Sequence, residues 1–450
     1  MKKAIVILLC KIAAFVGKLI GKGSSLPGKL ALKMYPDILE KIELCDKIVA
    51  VTGSNGKTST VELIASVLKK NNINVIYNKE GSNQIEGVTT MVLCNSTLRG
   101  KLKGDVLLIE SDERYARHTF KHFTPTHFVI TNLYRDQLTR NGHPEWLYDI
   151  ISESISPETT LILNADDPII STFANRGNPT IYFGIGRLET DSETCKSLYN
   201  DGVYCPVCKS KMEYSYYHYN HIGCYKCQNC GHQRQNPNYE VTSLDLKNGK
   251  MIINEKYEIS LFLKSIYNVY NTLAAFAVCD ILALDKEKIA ADISDHILKN
   301  GRIVAFKTGE RKGILLTSKH ENSISYNQSI ELAVNNPTPC TVVIIVDAIS
   351  RKYFTSETSW LWDIDFENLI SDNVTKIILT GNYCYDLATR FEYTEINEEK
   401  IAVIKDIGEA IEKLASFGTG DIFAITCFSD KDKFLSKVEM TELKGDNNGN

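Results

Sequence analysis

Apolar residues recur along the chain in two rhythms. Short β-branched runs at Lys47–Thr52, Val75–Asn78, Asp105–Glu110, His127–Thr131 and Thr160–Asn164 have the length and composition of strands. Over Thr58–Lys70, Val61, Ile64, Ala65 and Leu68 fall on one helical face. This strand–helix alternation predicts a mostly parallel, doubly wound α/β sheet. Strand-like alternation returns over Tyr239–Leu263, and Asn268–Leu284 has a helical pattern. A new strand series, with Gly313–Thr317 and Cys340–Val346 among its members, follows Gly301-Arg302. Three parts are therefore expected: a lead-in over 1–46, a sheet domain over 47–300 and an α/β C-terminal domain over 301–450. The sheet domain carries an insertion at about 200–236, poor in aliphatics and rich in Tyr, Cys, His and Asn.

The lead-in opens with MKKAIVILLCKIAAFVGKLI. Lys11 and Lys18 interrupt the apolar run, and a lysine at the centre of a membrane span costs roughly 2.5–3.5 kcal/mol. No small-residue cleavage site stands out. The segment reads as an amphipathic helix with a basic face. Two placements stay open for it, docking on its own protein and peripheral contact with a membrane. The last residues, Lys444–Asn450, read as a disordered tail.

Composition narrows the chemistry. With 43% hydrophobic and 24% charged residues and a net charge of −4, the chain reads as globular and carries no basic field for nucleic acid. Of its 13 cysteines, five lie between Cys205 and Cys230 and the rest are scattered singly. That distribution fits a reducing compartment and one local metal site rather than a disulfide framework.

The strand Lys47–Thr52, the loop Gly53-Ser54-Asn55-Gly56-Lys57-Thr58-Ser59 and the helix behind it give the context a phosphate loop needs. Glycines let backbone N–H groups approach phosphate, and the helix N-terminus adds partial positive charge. The expected ligand is ATP with Mg²⁺: Lys57 on the β- and γ-phosphates, Thr58 on the metal. Val51 stands where the longer form of the motif has glycine. Glu110, ending a predicted strand in Glu110-Ser111-Asp112-Glu113, is the candidate second Mg²⁺ ligand, since a carboxylate there faces the crevice at the sheet's switch point. A solvated acidic turn is the plainer alternative.

Cys205-Pro-Val-Cys208 and Cys227-Gln-Asn-Cys230-Gly231 have the spacing of a zinc ribbon. Cys224 is a spare or alternative ligand. Gly231 favours the Cys227–Cys230 pair because it permits a tight knuckle. Four thiolates leave no open position, so the expected zinc is structural, and a segment this short cannot build its own core. The lone thiols Cys279, Cys340, Cys384 and Cys427 read as core residues.

Thr52–Thr58 resembles the ATP loop of the Mur ligase family. In the same order follow Thr131-Asn132-Leu133-Tyr134-Arg135-Asp136-Gln137-Leu138, Asn164-Ala165-Asp166-Asp167-Pro168, Asn268-Val269-Tyr270-Asn271-Thr272-Leu273-Ala274-Ala275 and Gly301-Arg302. These resemble the family's TN-x-x-x-D-H-L, NADDP, NVxNxLAA and GR segments. The resemblance implies that Asn132, Asn268, Asn271 and Arg302 join the nucleotide site, Asn268 at the adenine and Arg302 at phosphate. Gln137 replaces the family's His, a weaker metal ligand. With the inserted Cys₄ ribbon, and with Ser25–Ala31, Tyr35–Leu39 and Ser359–Glu367, the chain is most similar to the MurT branch, the synthetase subunits of lipid II amidation.

That branch implies an ATP-dependent carbon–nitrogen ligase of peptidoglycan biosynthesis. It amidates the α-carboxylate of D-glutamate in the lipid II stem peptide through an acyl phosphate. Ammonia comes from a GatD-like glutaminase partner docked on the C-terminal domain. The resemblance makes Lys57 and Glu110 catalytic and gives Glu357, then Asp363, as the acidic residue completing the partner's Cys–His pair. It places the chain in the cytoplasm, at the inner face of the membrane. Val304, Lys319–Asn322, Glu357 and Tyr383 depart from the family's pattern, all in the C-terminal domain. They keep two alternatives in play, an amino-acid-adding ligase of the Mur and folylpolyglutamate kind and a paralogue with another acceptor.

Overall fold

The computed structural model describes residues 1–19, 24–78, 82–135, 144–296, 303–318, 321–348 and 358–441. Two sheets organise them. The first joins β1 (Lys47–Thr52), β2 (Val75–Tyr77), β3 (Val106–Glu110), β4 (His127–Ile130), β5 (Thr160–Asn164), β6 (Thr180–Ile185), β9 (Tyr239–Asp245), β10 (Lys250–Ile253) and β11 (Tyr257–Ser260). β7 (Glu213–Tyr219) and β8 (Ile222–Lys226) form a separate antiparallel hairpin. The order in the first sheet is β11-β10-β9-β6-β5-β4-β1-β3-β2. Pairing is parallel from β2 through β9, and the β9–β10–β11 meander adds an antiparallel edge.

β1 lies at the centre, flanked by β3 and β4, and is buried from Ile48 to Thr52. After β1 the chain runs outward on one side through β2 and β3, then crosses to β4. The loops leaving β1, β3 and β4 therefore meet at one switch point, where doubly wound sheets bind ligands. Helices cover both faces. Lys57–Lys70 and Ile266–Ile281 bury Val61, Ile64, Leu68, Val269, Leu273 and Phe276 on one side. The helix Ile85–Cys94 closes the other side with Val88, Val92 and Leu93.

The second sheet joins β12 (Ile303–Thr308), β13 (Arg311–Ser318), β14 (Cys340–Ile345), β15 (Val374–Thr380), β16 (Ile401–Ile404), β17 (Asp421–Cys427) and β18 (Glu439–Met440). Their order is β16-β15-β14-β17-β13-β12-β18, parallel from β16 to β13. The helix Ser323–Val334 packs on it through Tyr326, Ile330 and Ala333.

The first helix, Lys2–Leu19, buries Val6, Ile7, Cys10, Ala14 and Gly17. The sequence reads as an amphipathic helix with a basic face. In the fold its exposed face is apolar, carrying Ile5, Leu8, Leu9, Ile12, Phe15, Val16 and Leu19, with lysines at the borders rather than on a face of their own. Two apolar stripes share this helix, so an average over the segment hides the second one. The helix Leu26–Met34 packs beside it, with Gly28 against the helix Ile85–Cys94: a Cβ there would overlap the Glu86 carbonyl oxygen.

Candidate functional site

The loop after β1 is pinned from both sheets. Gly53 (φ 135°) and Gly56 (φ 84°) hold backbone conformations that favour glycine. Their missing side chains also leave room for neighbours: a Cβ would strike Thr131 Oγ1 at Gly53 and Asn271 Oδ1 at Gly56. Asn132 accepts from the Asn55 backbone N–H at 2.8 Å and donates to the Asn55 carbonyl at 3.0 Å. Thr131 donates to the same carbonyl at 2.9 Å. The Ser54 N–H donates to the Asn132 carbonyl at 2.9 Å, and Ser54 Oγ accepts from the Tyr134 N–H at 3.0 Å. Asn132, expected as a nucleotide contact, thus also shapes the loop.

From the C-terminal sheet, Asn322 caps the helix Ser323–Val334 and donates to Asn55 Oδ1 at 3.1 Å; Ser325 Oγ lies 3.3 Å from the same oxygen. Asn322 falls within a segment that departs from the family's pattern, and the sequence reading assigned it no role. Its signal is the cap spacing, Asn followed by Ser at the third position.

Lys57 is buried and donates both to the Gly53 carbonyl and to Glu113, with which it forms an ion pair. Burial disfavours its ammonium, but Glu113, backed by Asp112 and Glu110, outweighs that and holds its pKa above the ordinary lysine value. Sequence reasoning singled out one acid of Glu110–Glu113 and missed that the fourth pairs with the loop lysine. Glu110 closes β3, opposite Val51 of β1. Asn78 grips its backbone at 2.8 and 2.9 Å, and Asn83 donates to Glu110 Oε1 at 3.2 Å. Glu110 Oε2 is buried with no hydrogen-bond partner among the described residues. Thr58 and Ser59 lie half-buried in the first helical turn.

Asn268 and Asn271 stand near the start of the helix Ile266–Ile281, which Ser265 caps by accepting from the Asn268 N–H. Asn268 Oδ1 and Asn55 Nδ2 are likewise buried without partners among the described residues. Ser59, Asn268 and Asn271 line a cleft whose other wall is Leu316 and Thr317 of β13 and Ser325 of the helix Ser323–Val334. Asn55, Gly56, Asn132 and Asn271 line a second recess together with Tyr219, Tyr267 and Tyr270. Tyr219 ends β7, and its hydroxyl meets that of Tyr134 at 2.6 Å. Nothing in the sequence separates this tyrosine from its neighbours in the insertion.

Cys205, Cys208, Cys227 and Cys230 come together, their sulfurs all within 4.8 Å of one another. Cys205 to Cys230 is 3.6 Å and Cys208 to Cys227 is 3.5 Å. Cys224 lies on β8 outside this group. Each pair sits on a turn, one with Lys209 at φ 61° and one with Gly231 at φ 76°. Among the described residues Cys279, Cys340, Cys384 and Cys427 are buried free thiols.

Arg302 and Glu357 lie outside the described residues, as do Asp136 and Gln137. Asp363 is placed at the seam between the two sheets, 4.0 Å from Arg135, which also binds Asp201 at 2.7 Å. Burial raises the Asp363 pKa, against the pull of Arg135. Next to it Asp365 accepts from the Leu198 N–H at 2.8 Å and from Asn327 Nδ2 at 2.9 Å.

The family models for the Mur ligase middle domain and the MurT ligase C-terminal region match residues 51–232 and 320–429. The lipid II isoglutaminyl synthase (glutamine-hydrolysing) subunit MurT of Staphylococcus aureus strain COL is 34% identical over 93% of each chain. Its counterpart in Streptococcus pneumoniae is 31% identical over 92% of each. Among solved structures, a pseudomurein peptide ligase type C from Methanothermus fervidus superposes with a TM-score of 0.66 at 23% identity, over 89% of this chain and 80% of that one. MurF from Acinetobacter baumannii gives 0.62 at 15%, over 91% and 80%. The loop, the paired sheets and the whole-length likeness agree: this chain belongs to the MurT family of Mur-type ligases.

Proposed function

We propose that the chain is the synthetase subunit of a glutamine-dependent amidotransferase acting on lipid II, converting the α-carboxylate of D-glutamate in the stem peptide into an amide. The observation that carries the reading is the loop Gly53–Thr58 with Glu110 beside it, inside a chain similar to MurT along its length.

ATP fits the residues present. The loop offers backbone N–H groups and a helix N-terminus to phosphate; among the described residues Asn55 Nδ2 is an unspent buried donor, and Asn268 Oδ1 an unspent acceptor suited to an adenine amino group. Mg²⁺ fits too: Glu110 Oε2 is a carboxylate oxygen with no hydrogen-bond partner among the described residues, at the strand end facing the loop, and Thr58 supplies a hydroxyl. The metal, when bound, neutralises charge on the transferring phosphoryl group. The rest falls to the chain. Lys57 steers that group toward the acceptor while Glu113 keeps the ammonium charged and aimed. The amide bond forms when ammonia displaces phosphate from the activated carboxyl.

Zinc fits the four thiols. A tetrahedron with metal–sulfur bonds of about 2.3 Å has sulfur–sulfur edges of about 3.8 Å, near the 3.5 and 3.6 Å separations seen. It would knit a ribbon whose own apolar core is only Cys205, Met212, Tyr225 and Cys227. The ribbon's hairpin in turn presents Tyr219 to the recess beside the loop.

The ammonia source in this reading is a glutaminase subunit docked on the C-terminal sheet domain, with Glu357 or Asp363 as the acidic residue offered to it. Arg302 joins the phosphates. A lipid-borne acceptor sets the work at the cytoplasmic face of a membrane. Acceptor labelled with ¹⁸O in its carboxylate tests the chemistry. Label passing into inorganic phosphate together with amide formation is expected, and amide without labelled phosphate would overturn it.

A further inference from the structure

The two N-terminal helices display an apolar surface that the fold does not use. On Lys2–Leu19, Ile5, Leu8, Leu9, Ile12, Phe15, Val16 and Leu19 are exposed, Phe15 at 70% and Leu19 at 76%. On Leu26–Met34, Leu26, Leu30 and Met34 continue the exposure at four-residue spacing. At 3.6 residues per turn the exposed stripe of the first helix lies about 170° from its buried one, so the surface points directly away from the body.

The helices are fixed to that body. Val6, Ile7 and Cys10 sit in the same core as Val88 and Val92, Lys11 Nζ donates to the Cys94 carbonyl at 2.9 Å, and the Gly28 N–H donates to Thr90 Oγ1 at 2.8 Å. The outward surface is therefore a rigid face rather than a loose tail.

Charge says what covers it. The first 36 residues hold Lys2, Lys3, Lys11, Lys18, Lys22, Lys29 and Lys33 and no acidic residue, in a chain whose net charge is −4. Lys11 and Lys18 fall along one border of the exposed stripe and Lys2 along the other, while exposed Lys29 and Lys33 edge the second helix. Apolar side chains framed by lysines match an interface of acyl chains below anionic headgroups. The 18-residue helix is not long and apolar enough to cross a bilayer. Burial in another protein would leave this one-signed ring of charge without a reason.

We propose that the outward face of helices Lys2–Leu19 and Leu26–Met34 is a docking surface for anionic membranes, entering the interface in-plane without spanning it. The inference goes beyond the amidation reading and does not depend on it. The surface adjoins a groove lined by Lys18, Phe15, Lys69, Tyr77 and Asn78, and Asn78 holds the backbone of Glu110. Docking would thus set the loop crevice close to the lipid plane.

Vesicle co-sedimentation of the full chain tests this, with vesicles of phosphatidylcholine alone and with about 30 mol% phosphatidylglycerol. The paired substitution Phe15→Glu with Leu19→Glu alters only exposed positions, so its thermal midpoint should match the wild type. Expected are binding to the anionic vesicles at least about tenfold tighter than to the neutral ones, and a loss of about tenfold or more in the variant. Three results would each overturn the proposal: wild type left in the supernatant with both vesicles, equal binding by the variant, or a wild-type dimer that ignores vesicles and that the substitutions dissolve.

Discussion

The phosphate loop and the four-thiol ribbon are both short, turn-rich segments, yet they are held in opposite ways. The loop owes its shape to remote partners: Asn132, Glu113, Asn271 and Asn322 lie 56 to 267 residues away from it in sequence. The ribbon owes its shape to residues within 25 positions of one another. Remote bracing gives the loop several independent supports, so losing one polar contact should bend function before it breaks the fold. The ribbon concentrates its stability at a single point, so losing one thiol should undo the segment together.

The largest effect expected belongs to the loop. Lys57→Ala should lower ATP-dependent amide formation by about 10³-fold or more, measured as turnover with saturating ammonium. It also removes the buried ion pair with Glu113, so a loss of about 1–3 kcal/mol of stability should accompany it. Glu110→Gln keeps the shape of the side chain and removes its charge. A loss of about 10²–10³-fold is expected, with a rise in the Mg²⁺ concentration needed for half-maximal rate. Unchanged Mg²⁺ dependence would detach Glu110 from the metal.

Cys227→Ser sharpens the ribbon side. Metal analysis should find about one zinc per wild-type chain and little in the variant. A loss on the order of 3 kcal/mol corresponds to a thermal midpoint lower by about 6–12 °C. Because Tyr219 reaches the loop's recess, nucleotide binding should weaken as well. Cys224→Ser, outside the cluster, should do neither. Asn322→Ala removes one remote brace and should cost about 1 kcal/mol, a roughly fivefold weaker nucleotide affinity with the fold intact.

One further effect is read in pH rather than in activity. Glu331, on the helix Ser323–Val334, accepts from the Ile266 N–H at 3.4 Å across the seam, and its Oε2 is buried without a partner among the described residues. Burial pushes its carboxyl up to about 7, against the pull of that N–H. The folded state therefore holds the proton more tightly than the unfolded one. The resulting stabilisation is complete below about pH 4.5 and is lost as pH rises through 7. Glu331→Gln should be up to about 3 kcal/mol more stable than wild type at pH 8, with the gap closing by about pH 4.5, as followed by denaturant unfolding.

The same contrast explains what the sequence made legible. β1, the helix behind the loop and the two Cys-x-x-Cys pairs are readable because local spacing specifies them, whereas the helix read from Asn268 starts at Ile266, where the fold shows Ser265 capping it. Spacing leaves Cys224 open as a spare or alternative ligand, and only the fold sets it on β8 outside the four clustered thiols. Glu113 is not readable, since its partner Lys57 arrives only when β3 pairs with β1. Asn322 and Tyr219 stayed hidden because their roles exist only across the seam between the sheets and at the end of the ribbon hairpin. The apolar outward face of the first helix is not legible, because lysines at its borders and two apolar stripes average to an ordinary amphipathic composition with a basic face.

The central claim is that the loop activates a carboxylate for attack by ammonia. The direct measurement gives the purified chain ATP, Mg²⁺ and a muramoyl-pentapeptide acceptor, offers ammonium or free amino acids as nucleophile, and follows the product by mass spectrometry. The account predicts an ATP-dependent amide with ammonium, abolished by Lys57→Ala, and no amino-acid adduct. Efficient joining of an amino acid with no response to ammonium would contradict it.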